Sequence, residues 1–374
     1  MPLISLVIPT RNEEETIAEC ITRANSAFQD MGVEGEIVVS DNSSDRTPDI
    51  ARSMGAKVVT PRELGYGNAY LEGFKHARGK YIVILDGDLT YDPLEIPKFI
   101  EPLKSGMADF VMGTRLKGDI KKGAMPALHR YIGNPFLTRM LNALFGAGIS
   151  DSHCGMRAIT KEALVSLNLH TVGMEFASEM VIEASRKGLK ITEIPISYYS
   201  RRGASKLSSF SDGWRHLRFM MLYKPTPFLL LPGLIVLLMG LAIALVVLNE
   251  GRSQELRTHS LILGSLLLIM GYQLFLSGIH MSAFGVAYGL SKAGGVSQKL
   301  MSYHSLGWEL IAGSTLLIVG VIVGMSVIFE WKATGYGALQ EVHGAMMALL
   351  LSTLGIQTIF SAIFISLLLL HKEE

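Results

Sequence analysis

The distribution of apolar residues along the chain changes character near position 224. Before it, apolar positions form short β-rich runs at Leu3–Ile8, Glu36–Ser40 and Tyr81–Leu85, with a weaker one at Phe110–Met112. Helical periodicities lie between them, roughly Glu13–Asp30, Arg46–Met54, Gly67–Arg78 and Leu94–Lys104. Continuous apolar strands alternating with helices predict an α/β domain with a parallel, doubly wound sheet. After position 224 come four long apolar runs, Pro225–Leu248, Leu261–Phe284, Leu306–Phe329 and Val342–Leu370. Crossing a hydrocarbon core takes about 20 helical residues, so each run predicts a transmembrane helix.

Composition locates the same division. Only 18% of the 374 residues are charged, against about 25% in ordinary soluble chains. Only six of the 34 Lys and Arg and seven of the 33 Asp and Glu follow position 224. A purely soluble enzyme, a disordered chain and a strongly basic nucleic-acid binder are excluded. His280 is the one ionisable side chain well inside an apolar run. Transporters place ionisable groups at mid-membrane, so the spans read as an anchor or lipid-facing platform. The middle loop, Gly285–Ser305, carries Lys292 and Lys299 and no acid. The positive-inside rule then puts the N-terminal domain and both termini of this multi-pass protein in the cytoplasm. Leu3–Pro9 reads as a first buried strand, not as a leader. Two cysteines, Cys20 and Cys154, make no disulfide framework and fit a reducing compartment.

In open α/β sheets ligands bind beyond the carboxyl ends of strands. Pro9-Thr10-Arg11-Asn12-Glu13-Glu14 follows the first strand, and Asp41-Asn42-Ser43-Ser44-Asp45-Arg46-Thr47 the second. Asp86-Gly87-Asp88 follows Tyr81–Leu85. Turns and helix caps use the same residue types, but their coincidence at three strand ends points to a site. Two carboxylates two residues apart can turn toward one hard divalent cation, which keeps positions open for substrate phosphates. Arg201, Arg202 and Lys206, with Gly203 and Ser205 between them, form the densest basic cluster. They read either as a mobile phosphate-gripping loop or as a solvated loop beside anionic headgroups. Met125–Phe145 and Phe210–Tyr223 mix apolar faces with basic flanks, as interfacial helices do, though core helices share that pattern. Gly65-Tyr66-Gly67 has Tyr70 where a dinucleotide fingerprint needs glycine. Cys154 reads as a packed thiol.

These motifs have a family pattern. Ile8-Pro9 with Asn12-Glu13-Glu14, Asp41 with Ser43, Asp45 and Thr47, Asp86-Gly87-Asp88 and Gly113-Thr114-Arg115 fall in order. Asp151 with Gly155 and Arg157 follows, then Gly173-Met174-Glu175-Phe176-Ala177-Ser178-Glu179, Ile191–Ile196, and Arg202 with Ser205-Lys206. Residues 1–220 thereby resemble the Rossmann-like GT-A fold of family 2 glycosyltransferases. With four spans after them, the chain is similar to the polyprenyl-phosphate hexose synthases, a group that includes the dolichyl-phosphate mannose synthases. Gly87 stands where Ala is common, and Thr90 where some mannose synthases have a metal-binding Gln.

The resemblance implies a cytoplasmic GT-A nucleotide-sugar domain over residues 1–209 and a juxtamembrane amphipathic helix over 210–224. An all-α membrane domain of four transmembrane helices would fill 225–374. It implies a nucleotide-sugar pocket of Pro9, Arg11, Glu13, Asp41, Ser43, Asp86, Gly87 and Asp88, with Asp41 reading the base. Asp86 and Asp88 would hold Mg2+ or Mn2+. Arg115, Arg130, Arg202, Ser205 and Lys206 would face the acceptor phosphate. Asp88, Asp151, Arg115, Arg130, Arg202 and Lys206 make up the expected catalytic set. The implied reaction moves a hexose from a nucleotide diphosphate to a polyprenyl or dolichyl monophosphate with inversion.

Such an acceptor phosphate is already anionic, so no general base is essential; Asp151 is the carboxylate otherwise available. UDP-glucose is preferred as donor over GDP-mannose, on likeness to the glucose-type branch at Gly173–Met180 and at Asp212-Gly213-Trp214-Arg215-His216. A processive polysaccharide synthase would need a Q-x-x-R-W run, which the sequence lacks. The alternatives are a non-catalytic nucleotide-sugar sensor in the membrane or a GT-A transferase with another lipid or glycan acceptor. A dimer or tetramer stays open.

Overall fold

The computed structural model describes residues 2–202, 209–249, 254–288, 306–337 and 342–370. The chain divides into two compact units, Met1–Phe219 and Met220–Glu374.

The first unit is built on a seven-stranded sheet. Its strands are β1 (Ile4–Thr10), β2 (Gly35–Asp41), β3 (Lys57–Val59), β4 (Tyr81–Ile84), β5 (Phe110–Ile120), β6 (Arg157–Thr160) and β7 (Ile191–Tyr198), in the spatial order β3-β2-β1-β4-β6-β5-β7. Ile4, Leu6, Val7 and Ile8 are fully buried, as expected of a strand covered on both faces. The helix α1 (Ile17–Asp30) lays Ile17, Cys20, Ile21, Ala24, Ala27 and Phe28 on the core at helical spacing. It starts later than the periodicity from Glu13 suggests, because residues 12–16 turn to bond the neighbouring loop. The remaining helices of this unit are α2 (Thr47–Ser53), α3 (Tyr66–His76), α4 (Ile96–Lys104), α5 (Asn134–Phe145), α6 (Lys161–Leu167) and α7 (Phe176–Arg186), and α8 (Ser209–Tyr223) runs across the boundary between the units.

The sheet corrects one expectation. The half β3-β2-β1-β4 is parallel, but β6 runs antiparallel to both β4 and β5. A reversed strand starts where its parallel neighbours end. Arg157 at the start of β6 therefore pairs with Ile84 at the end of β4. The turn before it, residues 151–156, is delivered to the edge that carries the loops after β1, β2 and β4. Register aligns those loops as well, with Thr10 opposite Asp41 and Val7 opposite Ile84.

Met125–Phe145 resolves into a short π-helical turn, His129–Gly133, followed by α5. Leu128, Tyr131, Ile132 and Phe136 are exposed, whereas Leu137 and Leu141 face the core.

The second unit contains four helices long and apolar enough to cross a membrane: Thr226–Val247, Thr258–Ala287, Leu306–Ala333 and Val342–Leu370. The first packs on the second and the third on the fourth, and the second also meets the fourth. Glycines set the closeness. A Cβ on Gly271 would stand 2.2 Å from the Leu237 backbone nitrogen, and one on Gly355 2.6 Å from that of Leu317. Small residues at such crossings let helix backbones touch. His280 Nε2 meets the Ser361 hydroxyl at 2.7 Å, and Tyr272 meets Thr358 at 2.6 Å, so these polar groups pair between helices. The loop lysines Lys292 and Lys299 lie outside the described residues.

Candidate active site

Two loops are knotted together first. Asn12 adopts a left-handed conformation (φ 56°). Its N–H donates to Ser43 Oγ at 2.7 Å and its Oδ1 accepts from the Ser44 N–H at 2.9 Å. Thr10 Oγ1 donates to Asp41 Oδ1 at 2.7 Å, and Ser43 gives that carboxylate its N–H at 3.1 Å and its hydroxyl at 2.5 Å. The Glu13 N–H donates to Thr47 Oγ1 at 2.9 Å. Pro9, Arg11, Glu13, Asp41 and Ser43 thereby belong to one bonded pair of loops. A short Asx-type turn lets Asp41 accept local bonds without leaving the sheet edge.

The loop after β4 joins them through Thr16 Oγ1, which donates to the Gly87 carbonyl at 2.8 Å. A Cβ on Gly87 would lie 3.0 Å from Thr10 and 3.1 Å from Ile8, so the two loops meet closely there. Asp86 Oδ1 accepts from Tyr66 at 3.0 Å and from Tyr70 at 3.4 Å. Burial, with the Asp88 charge added, pushes the Asp86 carboxyl up to about 7. Asp88 Oδ1 accepts the Thr90 N–H at 3.1 Å and its hydroxyl at 2.6 Å. Thr90 therefore orients Asp88. Asp88 Oδ2 faces Arg201 Nη1 at 3.4 Å, and Arg201 also pairs with Glu13.

The donor set fits a hard divalent cation. Two neighbouring carboxylates resist joint ionisation in a buried place, and a dication removes that conflict while leaving coordination positions for phosphate oxygens.

The turn delivered by β6 adds a second cluster. Arg115 grips Asp151 through Nε at 2.7 Å and Nη2 at 2.8 Å, with its own N–H on the same carboxylate at 3.1 Å. Both side chains are buried. Burial pushes the Asp151 carboxyl up, but the Arg115 charge and hydrogen bonds outweigh it and hold it below the ordinary range. Arg115 also stacks over the Tyr198 ring at 5.1 Å. Gly155 leaves room beside the first cluster: a Cβ there would sit 2.9 Å from Asp86 Oδ2. Arg157, fully buried, donates to the carbonyls of Cys154, Ala177 and Ser152 at 2.8, 2.8 and 2.9 Å and so ties this turn to α7.

Asp41, Asp86, Asp88, Glu13 and their loops thus share one sheet edge, with the Arg115–Asp151 pair on the turn beside it. Arg130 sits on the π-helical turn, its guanidinium 5.4 Å from the Tyr131 ring centre. Arg202 is an exposed residue paired with Glu19 at 2.7 Å. Ser205 and Lys206 lie outside the described residues. Cys154 is buried, and burial pushes its thiol up to about 12, as for an inert packed group.

Tyr66, Tyr70 and the Arg201 pairing were not singled out as site features from sequence. A signal existed: two tyrosines at i, i+4 stand at the start of one helix. Gly65-Tyr66-Gly67 is a packing motif, since a Cβ on Gly67 would meet the Thr171 carbonyl at 2.1 Å. Phe176 stacks on Tyr70 at 5.2 Å and fixes it. Tyr66→Phe keeps that packing and removes the shorter hydrogen bond to Asp86. The Asp86 carboxylate then loses an orienting partner, and donor affinity should fall by up to about tenfold, or roughly 1.4 kcal/mol. Calorimetric titration with nucleotide would check it; unchanged affinity would remove Tyr66 from the site.

Residues 5–167 match the model of the glycosyl transferase family 2, and residues 279–369 that of the glycosyltransferase family 2 C-terminal transmembrane region. The low-salt glycan biosynthesis hexosyltransferase Agl6 of Haloferax volcanii is 41% identical over 368 residues, covering 96% of this chain and 88% of that one. The chain belongs to glycosyltransferase family 2. A dolichyl-phosphate hexose transferase of the same organism is 35% identical over 56% of this chain and 89% of its own length. The dolichol-phosphate mannosyltransferase of Pyrococcus furiosus is 32% identical over 58% of this chain and 63% of its own. Among solved structures, glucosyl-3-phosphoglycerate synthase from Mycobacterium tuberculosis aligns at 22% identity with a TM-score of 0.48, over 59% of this chain and 79% of that one. With the family 2 match over the sheet domain and the transmembrane-region match over the apolar helices, the protein is a membrane glycosyltransferase.

Proposed function

We propose that this family 2 enzyme moves a hexose from a nucleotide-diphosphate sugar to a polyprenyl or dolichyl monophosphate, with inversion. UDP-glucose is the preferred donor and GDP-mannose the second. The observation that carries the reading is the Asp86–Asp88 carboxylate pair, held at the sheet edge beside the Asp41 loop. The relatives named as dolichyl-phosphate hexose and mannosyl transferases support the lipid acceptor.

The roles follow from the groups. Asp41 and the β1 loop take the nucleoside, with Pro9, Arg11, Glu13 and Ser43 lining it. Mg2+ or Mn2+, held by Asp86 and Asp88, would offset the charge that builds on the departing diphosphate. Arg115, Arg130, Arg202, Ser205 and Lys206 supply charge and hydrogen bonds to the acceptor phosphate. That phosphate attacks without a base. Asp151 supports this choice, because Arg115 engages both of its oxygens. Residues 1–209 are assigned to catalysis, 210–224 to the membrane interface and 225–374 to the bilayer, with the catalytic side cytoplasmic.

The test is transfer of labelled sugar into organic-extractable lipid. Detergent-purified protein receives polyprenyl phosphate and either UDP-glucose or GDP-mannose, with and without EDTA. Labelling from one donor, lost on chelation and restored by Mn2+, is the expected result. Nucleotide binding without any lipid labelling would overturn the reading.

A further inference from the structure

The divalent cation proposed above would meet a competitor already built into the chain. Arg201 places Nη1 3.4 Å from Asp88 Oδ2, and its other terminal nitrogen pairs with Glu13. Asp88 gives its remaining oxygen to Thr90. Of the two carboxylate oxygens, then, the one free of local hydrogen bonds is the one the guanidinium faces. Among the described residues, Arg201 Nε is buried with no hydrogen-bond partner. The side chain is thus held by charge, at the cost of an unsatisfied donor.

We propose that Arg201 is a positioning residue: anchored on Glu13, its guanidinium covers the Asp88 oxygen that the cation held by Asp86 and Asp88 would use, and cation and donor displace it on loading. The inference rests on the reading of Asp86 and Asp88 given above. Arginine cannot shed its proton to make room, and a dication a few ångströms away repels it strongly in a partly buried place. One of the two must leave Asp88. Movement is local, because the Tyr199 N–H donates to the Thr90 carbonyl at 3.0 Å and anchors the chain two residues earlier. The adjacent Arg202–Glu19 pair is exposed and screened, so it resists little. Once displaced, Arg201 stands beside an anionic diphosphate instead of a bare carboxylate, and its charge serves the donor only after loading.

The experiment is Mn2+ titration by electron paramagnetic resonance on the full-length detergent-purified protein, without nucleotide. Arg201→Gln should bind Mn2+ about tenfold more tightly than the parent, equivalent to roughly 1.4 kcal/mol of removed repulsion. Arg201→Lys keeps the charge and should stay within about threefold of the parent, a shift below that tenfold step. Equal or weaker binding by a normally melting Arg201→Gln protein, with Asp88→Asn abolishing binding, would overturn the competition while sparing the cation site. Absence of Mn2+ binding by parent and variants alike would overturn both readings. In the unaltered protein, saturating Mn2+ should also raise phenylglyoxal labelling of Arg201, read by peptide mass spectrometry. Unchanged labelling would overturn the displacement without requiring any variant to fold.

Discussion

Asp88→Asn is expected to abolish sugar transfer and leave the fold intact. The amide keeps the shape of the carboxylate and can still accept the Thr90 N–H and hydroxyl, now at 3.1 and 2.6 Å. The turn at Leu89, with its left-handed φ of 58°, therefore keeps its local support. What disappears is the charge that attracts a dication and pairs with Arg201. Removing one preorganised electrostatic contact to a developing charge costs about 10²–10³ in rate. Loss of the cation with it should carry the fall to roughly 10³-fold or beyond. The measurement is labelled-lipid formation at saturating Mn2+, with the melting temperature recorded in parallel. A near-normal rate with normal melting would remove Asp88 from the cation site.

Legibility followed burial and length. β1, β2 and β4 were visible because both faces are covered and the runs are continuous. β3 has three residues and β6 four, with Arg157 inside the latter, so neither offers a period to detect. Missing β6 made the sheet look wholly parallel. β5 was seen only at its buried start, Phe110–Met112; its second half pairs with β7 across a register shift between Thr114 and Asp119. The spanning helices were legible because bilayer thickness fixes their length. The acid-bearing loops were legible because strand ends announce themselves. Tyr66 and Tyr70 were not, since they reach Asp86 from a helix whose glycines suggested a different motif. The pairing of Arg115 with Asp151 spans 36 residues of chain; alone, Arg115 reads as a phosphate contact and Asp151 as a spare catalytic carboxylate.

That pairing makes the second large prediction one of stability. Asp151→Ala leaves the Arg115 guanidinium buried with its carboxylate partner removed. Breaking a buried ion pair from one side costs about 3–5 kcal/mol, a large share of the roughly 5–15 kcal/mol that holds a domain. The variant should melt well below the parent or accumulate as aggregate. Substituting both partners distinguishes stability from chemistry, because an apolar replacement of the whole pair is often neutral. Arg115→Met with Asp151→Ala should recover much of the melting temperature and none of the transfer activity, if Arg115 also serves the acceptor phosphate. Recovery of both would confine the pair to folding. The pH dependence follows from the depressed carboxyl of Asp151. A group whose folded value lies below its unfolded one stabilises fully above the unfolded value, about 3.9 for Asp, and loses that contribution as pH falls through the folded value. The parent should therefore lose this contribution only below about pH 4. Asp151→Asn has no proton to take up there and should show a flatter acid limb. Superimposable acid limbs in denaturant melts would show that the Arg115–Asp151 pair contributes nothing to the pH dependence of the fold.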